Sequence, residues 1–234
     1  MFMISAQTLT ICKDAAGVAG NIFAFGLFIS PIPTFRRIMR NQCTEDFSGL
    51  PYLYALLNCL ICAWYGTPFM SDDNVLVTTV NTIGAMFQLT YVILYIVYAE
   101  KSKKLNTFVL LMAIFGVFAI ILSASLFLLD RPTRHLIVGF LTCASLISMF
   151  ASPLFIIRLV IRTKSVEFMP FYLSLSTFAM SVSFMLYGIF NFDPFVYVPN
   201  GIGTILGSVQ LLLFLYYERK DTDHTREPLI ESFP

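Results

Sequence analysis

The sequence predicts an all-α membrane protein with seven transmembrane helices in a 3+1+3 arrangement, on three observations. Charged residues are only 12 % of the 234 residues, whereas soluble domains are about 25 % charged. The few charges leave seven uncharged stretches, each long enough for the roughly 20 apolar residues that cross a bilayer. An internal repeat then pairs the first three stretches with the last three.

The seven stretches are bounded by Asp, Glu, Lys or Arg, and very little chain remains between them. Helices are favoured because each satisfies its own backbone hydrogen bonds in lipid, and the alternating segments of a β-barrel, about ten residues each, are not seen. The charges are too sparse for a nucleic-acid-binding surface. The stretches are 21 to 26 residues long and cover 15–35, 47–71, 74–99, 105–129, 135–157, 168–192 and 194–217.

Lysine and arginine concentrate on one side of the predicted bundle. Twelve of the 15 follow the first, third and fifth stretches or lie in the tail. The positive-inside rule therefore predicts a cytosolic C-terminus and an N-terminus outside the cell or in a lumen. An odd number of crossings is required for this arrangement, and seven satisfies it.

The repeat relates residues 122 positions apart in the first helix of each half and 119 positions apart further on. The first shift aligns Ser30-Pro31 with Ser152-Pro153, and the second aligns Asn81 with Asn200. The unpaired fourth helix restores the direction of the chain, so both halves run the same way, as in some transporters. We expect a first repeat at 1–104, a linker helix at 105–129, a second repeat at 130–217 and a disordered cytosolic tail at 218–234.

Four prolines are expected near the cytosolic ends of the first two helices of each half. A proline inside a helix removes one hydrogen bond and kinks it. Pairing across the repeat favours hinges at a cytosolic gate over the general enrichment of proline in membrane helices. The four are Pro31, Pro51, Pro153 and Pro170.

Asn81 and Asn200 lie at equivalent positions, roughly 10 Å below the outer surface at about 1.5 Å per residue. An amide at that depth must face protein or water. A helix–helix hydrogen bond is the commoner role for such a residue, but the equivalence favours a shared central site suited to hydroxyl groups. On sequence alone, Cys62 and Phe184 are interpreted as packing residues.

No acidic or basic residue lies deep in any predicted span. Ion-coupled carriers usually place an ionisable group there, so an uncharged substrate and uncoupled transport are favoured. An intramembrane enzyme would need a buried acid, base or metal cluster, and no enzyme activity is predicted. Cys59-x-x-Cys62 has no companion pair or histidine, so neither a metal nor a cofactor is expected.

Motifs from the first helix to Tyr217 resemble those of the SWEET family of sugar transporters, of the plant type. The resemblance implies a 3+1+3 bundle of facilitators that often assemble as homo-oligomers, and the hexose-preferring members favour glucose as the substrate. The motifs are Gly-Asn at 20–21, Thr-Glu-Asp-Phe-Ser-Gly-Leu-Pro-Tyr at 44–52, Leu-Asn-Cys-Leu at 57–60, Ala-Trp-Tyr-Gly at 63–66, Thr-Lys-Ser-Val-Glu-Phe-Met-Pro-Phe at 163–171, Tyr-Gly at 187–188, Asp-Pro-Phe-Val at 193–196 and Pro-Asn-Gly at 199–201.

The resemblance also implies roles for individual residues. The two asparagines would bind the sugar, Cys62 and Phe184 would line its pocket, and the four prolines would form the cytosolic gate. Tyr65 and Asp193 would belong to the opposite gate. Many relatives carry serine where Cys62 stands and tryptophan where Phe184 stands, and cysteine is the weaker hydrogen-bonding group.

Two other functions fit parts of the pattern. A seven-helix receptor shares the topology but is not expected to show this repeat. A proton-coupled carrier of the PQ-loop type would have glutamine after the first-helix proline, where Ile32 and Leu154 stand. The membrane is predicted to be vacuolar or plasma, and the loose acidic dileucine-like sequence at 227–230 favours the vacuole.

Overall fold

The structure is a computed structural model that describes residues 6–71, 73–167 and 169–226. Over these residues the chain forms nine α-helices and no strand. Two pairs of helices, α1 with α2 and α6 with α7, each make a single crossing, which gives seven crossings and confirms the predicted fold class. The helices are α1 (Ala6–Ile29), α2 (Ile32–Asn41), α3 (Leu50–Tyr65), α4 (Val75–Tyr98), α5 (Lys101–Phe127), α6 (Arg131–Met149), α7 (Ala151–Thr163), α8 (Phe171–Phe190) and α9 (Pro194–Arg226).

Six helical segments of the described chain are long and apolar enough to cross a membrane, with mean hydropathies from 1.5 to 2.7. The helix α3 is shorter, at 16 residues. The predicted stretch 47–71 is therefore longer than the helix it contains. Pro68 cannot continue a helix, and Met70 N–H donates instead to Thr67 C=O in a turn (2.9 Å).

The chain is helical beyond the predicted end of the last span. The helix α9 runs to Arg226, which corrects the expectation of disorder from residue 218. Glu, Arg and Lys follow the apolar part at 218–220 and are good helix formers, so the helix has no reason to end at the membrane surface. The sequence at 227–230 lies outside the described residues. We call the end of the bundle where α9 ends the tail side, and the opposite end the far side.

The first crossing of each repeat is broken at nearly the same place, with the second break about three residues earlier than the equivalent position of the first. The helix α2 begins just after Pro31 and α7 begins just after Phe150. Both end at a residue with left-handed backbone, Gln42 with φ 53° and Lys164 with φ 55°, and these residues are 122 positions apart. The equivalence in sequence is thus also an equivalence in backbone conformation.

Both repeats arrange their three crossings in the same order. In each, the third crossing packs against the first and the second: α4 lies between α1 and α3, and α9 lies between α6 and α8. Close contacts at glycine also recur. A Cβ at Gly17 would lie 2.5 Å from Leu76, and a Cβ at Gly139 would lie 2.5 Å from Phe195. The two halves are therefore built by the same local packing.

The two seams between the repeats differ. The helix α1 packs along α8 more extensively than α6 packs along α3. At Gly20 an added Cβ would lie only 2.7 Å from the Phe184 ring, so this glycine lets α8 approach α1. The equivalent position in α6 is Thr142, whose side chain occupies space there. The α3–α6 seam is consequently the looser of the two.

The linker helix α5 packs mainly against α3 and α4 of the first repeat. Trp64 Nε1 donates to Ser125 Oγ at 3.1 Å, and Lys103 Nζ donates to the backbone carbonyl of Glu45 at 2.9 Å. The Arg37 guanidinium and then the Asn41 amide hold the pKa of Glu45 below its usual value by hydrogen bonding to its carboxylate. These contacts attach α5 to the first repeat at both ends.

We expect alanine at Gly66 or Gly188 to destabilise the protein. Each added Cβ would lie 2.6 Å from a backbone nitrogen of the third crossing, at Thr78 and at Tyr197 respectively, and backbone cannot move aside cheaply. Overpacking of this kind typically costs about 1–3 kcal/mol. The measurement is the thermal unfolding midpoint in detergent, with Gly116→Ala as the matched control, since nothing lies within 4 Å of its Cβ. Equal midpoints for all three variants would contradict the packing described here.

Candidate functional site

A central cavity of about 260 Å³ lies between the two repeats. It is lined by residues of α1, α3, α4, α6, α8 and α9, so both halves contribute to its wall. Its volume is slightly below the range of about 300–1,000 Å³ for drug-sized ligands. No Asp, Glu, Lys, Arg or His is among the lining residues that the structure describes. The cavity therefore suits a small uncharged solute.

Asn81 and Asn200 both line this cavity, one from each repeat. Each amide donates to the carbonyl four residues earlier in its own helix, Asn81 to Val77 at 2.9 Å and Asn200 to Val196 at 2.8 Å. These bonds orient the two side chains identically and use only one N–H of each. The described chain thus shows no helix–helix hydrogen bond from either amide, and the remaining donor and the carbonyl oxygen are left for a ligand.

Cys62 and Phe184 line the same cavity and are 1 % and 6 % exposed. Pro51 and Pro170 are 119 positions apart, but toward the far ends of α3 and α8 the offset is again 122, as it is for Cys62 and Phe184 and for Tyr65 and Tyr187 one turn further along. Cys62 Sγ lies 3.9 Å from Asn58 Oδ1, whereas the Phe184 ring packs over Gly20. A small side chain and a large one therefore occupy equivalent positions in the two repeats.

The far side of the cavity is closed by hydrogen bonds between the repeats. The Tyr65 hydroxyl donates to the Asp193 carboxylate, 2.8 and 2.7 Å from its two oxygens. Asn74 Nδ2 and the backbone N–H of Phe195 also donate to Asp193. Tyr65 is 0 % and Asp193 6 % exposed. A buried carboxylate requires such donors, so Asp193 holds the first repeat against the second.

A second set of hydrogen bonds closes the far side in the same way, but here the second repeat supplies the donors and the first repeat the acceptors. The Tyr187 hydroxyl donates to the Asp73 carbonyl at 2.6 Å, and Asn191 Nδ2 donates to Asn74 Oδ1 at 2.8 Å. Each repeat thus sends a tyrosine into the far-side loop of the other. Lys13 also approaches the Asp73 carboxylate, with a separation of 3.8 Å between Nζ and Oδ1.

The four prolines lie on the tail side, but not inside helices as expected. Pro31 and Pro170 directly precede α2 and α8, while Pro51 and Pro153 lie in the first turns of α3 and α7. A proline there removes no intrahelical hydrogen bond. Only the Pro31 and Pro153 regions carry a break within a crossing. None of the four prolines is buried, in contrast to the far-side residues.

Two residues of the cavity wall and of the far-side hydrogen bonds were not identified from the sequence. Asn58 lies one turn from Cys62 and donates to Ser145 of α6 at 2.8 Å. His135 is half-buried, with Nε2 3.0 Å from the Tyr65 hydroxyl. Because that hydroxyl gives its hydrogen to Asp193, the imidazole is the donor in this bond. Histidine at a span edge gives no signal in sequence, but the polar Asn58 in an apolar helix does.

The architecture is that of a membrane carrier: two equivalent halves enclose a cavity that is sealed at one end. Comparison with known proteins gives the family. The chain matches the family described as "Sugar efflux transporter for intercellular exchange" in two segments, residues 14–104 and 136–222, one in each repeat. The chain belongs to the SWEET family of sugar transporters.

Relatives match nearly the whole chain. It is 65 % identical over 227 residues to the bidirectional sugar transporter SWEET2 of Arabidopsis thaliana, covering 97 % of this chain and 96 % of that one. It is 57 % identical over 229 residues to SWEET2a of Sorghum bicolor, covering 98 % and 94 %. A solved structure of a eukaryotic SWEET transporter superposes with a TM-score of 0.89 at 55 % identity, covering 90 % and 99 %.

Family membership confirms the resemblance that the motifs indicated and makes the chain a transporter rather than an enzyme. It also removes the seven-helix receptor from consideration. The residues after the first-helix prolines, Ile32 and Leu154, agree with this assignment rather than with a PQ-loop carrier.

We expect Tyr65 and Asp193 to be energetically coupled. Hydrogen bonds to a charged group contribute about 1.5–3 kcal/mol, so Tyr65→Phe and Asp193→Ala should destabilise less together than the sum of their separate effects. A double-mutant cycle on unfolding in detergent measures this coupling. Tyr91→Phe is the matched control, because its hydroxyl donates to the Phe28 carbonyl elsewhere (2.6 Å). Additive effects of Tyr65→Phe and Asp193→Ala would show that this contact does not close the far side.

Proposed function

We propose that this protein is a facilitative, bidirectional sugar transporter that carries glucose or a related hexose by alternating access. The observation that carries the proposal is a pair of equivalent amides, Asn81 and Asn200, which line the same cavity between the two repeats. Each retains donor and acceptor capacity, and hydroxyl groups use both. The printed names of the relatives, bidirectional sugar transporters, support the substrate class.

Uncoupled transport is supported by the chemistry of the cavity wall. Proton- and sodium-coupled carriers place ionisable groups near the substrate path, and the described lining residues include no acid, base or histidine. Asp193 is buried, but Tyr65, Asn74 and a backbone N–H satisfy its carboxylate at the far-side gate. We therefore assign it to gating rather than to ion coupling.

The same geometry supports alternating access. The far side is closed by the Tyr65–Asp193 contact, whereas the prolines of the tail side are not buried. In the proposed cycle, residues 1–104 and 130–217 rock against each other while 105–129 link them. Opening the far side breaks the hydrogen bonds that Tyr65 and Asn74 donate to Asp193, and closing the tail side brings together the segments that contain Pro31, Pro51, Pro153 and Pro170.

Cys62 and Phe184 complete the proposed binding site. The thiol is a weak hydrogen-bonding group, so Cys62 contributes space, and the aromatic face of Phe184 covers the apolar face of a sugar ring. The tail side is proposed to be cytosolic, in a vacuolar or plasma membrane. A homo-oligomer, expected from the family resemblance, stays a prediction.

We expect Asn81→Ala and Asn200→Ala each to abolish glucose uptake, because each removes the amide presented to the sugar. The measurement is uptake of radiolabelled glucose into liposomes that contain the purified protein. Thr90→Ala is the control, since Thr90 is exposed and its hydroxyl bonds only its own helix, at Met86 (2.8 Å). Monodisperse, folded variants that transport at the wild-type rate would move the binding site elsewhere.

We expect glucose uptake to be independent of a proton gradient. Because no acid, base or histidine is among the described residues of the cavity wall, the sugar is expected to cross without a proton. The initial rate is compared with and without an imposed pH difference and after addition of a protonophore. A rate that rises with an inward proton gradient and falls when the protonophore collapses it would refute uncoupled transport.

A further inference from the structure

Two buried side chains on the cavity wall have an oxygen with no hydrogen-bond partner among the described residues. They are Oε1 of Gln88 on α4 and Oγ1 of Thr142 on α6. The two side chains are 9 % and 1 % exposed. Leaving a buried oxygen unpaired is unfavourable. Each of these oxygens would therefore be stabilised by a hydrogen bond from a group that the described residues do not supply.

Thr142 departs from the behaviour of other threonines in these helices. In a helix, a threonine hydroxyl can donate to the carbonyl four residues earlier, and five do so here at 2.8 to 2.9 Å. The Thr142 hydroxyl lies in the middle of α6, where the carbonyl of Val138 is the corresponding acceptor, and makes no such bond. The five that do are Thr90, Thr107, Thr163, Thr177 and Thr204.

Both residues break the symmetry of the cavity. Gln88 is 119 positions before Gly207, and Thr142 is 122 positions after Gly20. A Cβ at Gly207 would lie 3.0 Å from Phe178, and a Cβ at Gly20 would lie 2.7 Å from Phe184. At the position equivalent to each polar residue, the other repeat therefore has a glycine that packs against a phenylalanine.

Gln88 extends the polar wall beyond the level of the asparagines. It lies seven residues after Asn81 in α4, about 10 Å further toward the tail side at 1.5 Å per residue. Side chains in a helix lean toward its N-terminus, so the Gln88 amide leans back toward Asn81. A sugar held by the asparagine pair is thus approached by Gln88 from the tail side of the cavity.

We propose that Gln88 and Thr142 are specificity-determining residues that orient the sugar in the cavity. The inference rests on the proposed function. Two equivalent asparagines offer the same groups from both repeats and cannot by themselves distinguish the hydroxyls of an asymmetric ring. The Thr142 hydroxyl can donate or accept, and Gln88 Oε1 accepts from a sugar hydroxyl. Each therefore selects a particular hydroxyl of the bound hexose.

The test pairs each variant with substrates that lack one hydroxyl. Uptake of glucose and of its monodeoxy analogues into liposomes is measured for wild type, Thr142→Val and Gln88→Met, which keep size but remove the polar atom. For each variant we expect the KM for glucose to rise about twofold to tenfold, the equivalent of one neutral hydrogen bond. For one analogue, the variant and wild type should have the same KM, because the partner hydroxyl is already absent.

Controls separate this role from a structural one. Thr142→Ser restores the hydroxyl and should restore the wild-type pattern, and Thr90→Val is an isosteric change away from the cavity. Equal increases in KM for glucose and every analogue would overturn the inference, as would unchanged kinetics, which is the result if water alone satisfies these oxygens. If the wild type takes up glucose and the variants give either of these two results, only this inference is overturned. A wild type that takes up no sugar defeats the proposed function.

Discussion

The buried Asp193 carboxylate is the constraint on which the observed state of the protein depends. An ion in a protein interior is stable only with several donors, and here they come from both repeats: Tyr65 and Asn74 from the first, and the Phe195 backbone from the second. No arrangement that separates the repeats on the far side can keep all of these bonds. Closure of that side and satisfaction of the carboxylate are therefore the same event.

Internal duplication explains both the similarity of the two halves and their useful differences. Equivalent glycines at Gly17 and Gly139 set the same close packing in each repeat. Elsewhere the halves have diverged: Phe184 occupies the position equivalent to Cys62, and Thr142 occupies the position equivalent to Gly20. The α1–α8 seam is consequently tight and the α3–α6 seam loose. Such asymmetry gives a symmetric scaffold a cavity with distinguishable walls.

Much of the fold could be predicted because a bilayer imposes simple rules on composition. Uncharged stretches of sufficient length located the crossings, and paired asparagines located two residues that do line one cavity. The predicted ends of the helices were less accurate, because a helix can continue beyond its apolar segment, as α9 does to Arg226. Proline positions also misled: Pro51 and Pro170 begin helices rather than kink them, and sequence alone does not show where a helix starts.

The rest of the site depends on packing that the sequence does not reveal. His135 lies at the edge of a predicted span, and only the structure shows that its imidazole lies beside the Tyr65 hydroxyl. Thr142 is one of many hydroxyl residues in these helices, and only the structure shows that its oxygen lacks a partner. Which face of a helix meets the cavity is decided by all its neighbours together.

In the proposed cycle, the two halves close one side of a shared cavity while the other side opens. Distances between spin labels on the two repeats test it most directly. One pair replaces the exposed Phe69 and Phe192 on the far side, and the other replaces the exposed Arg40 and Arg162 on the tail side. Adding Asp193→Ala should lengthen the far-side distance and shorten the tail-side distance in the same samples. Distances that stay fixed, or that lengthen together, would contradict movement of the halves around the cavity.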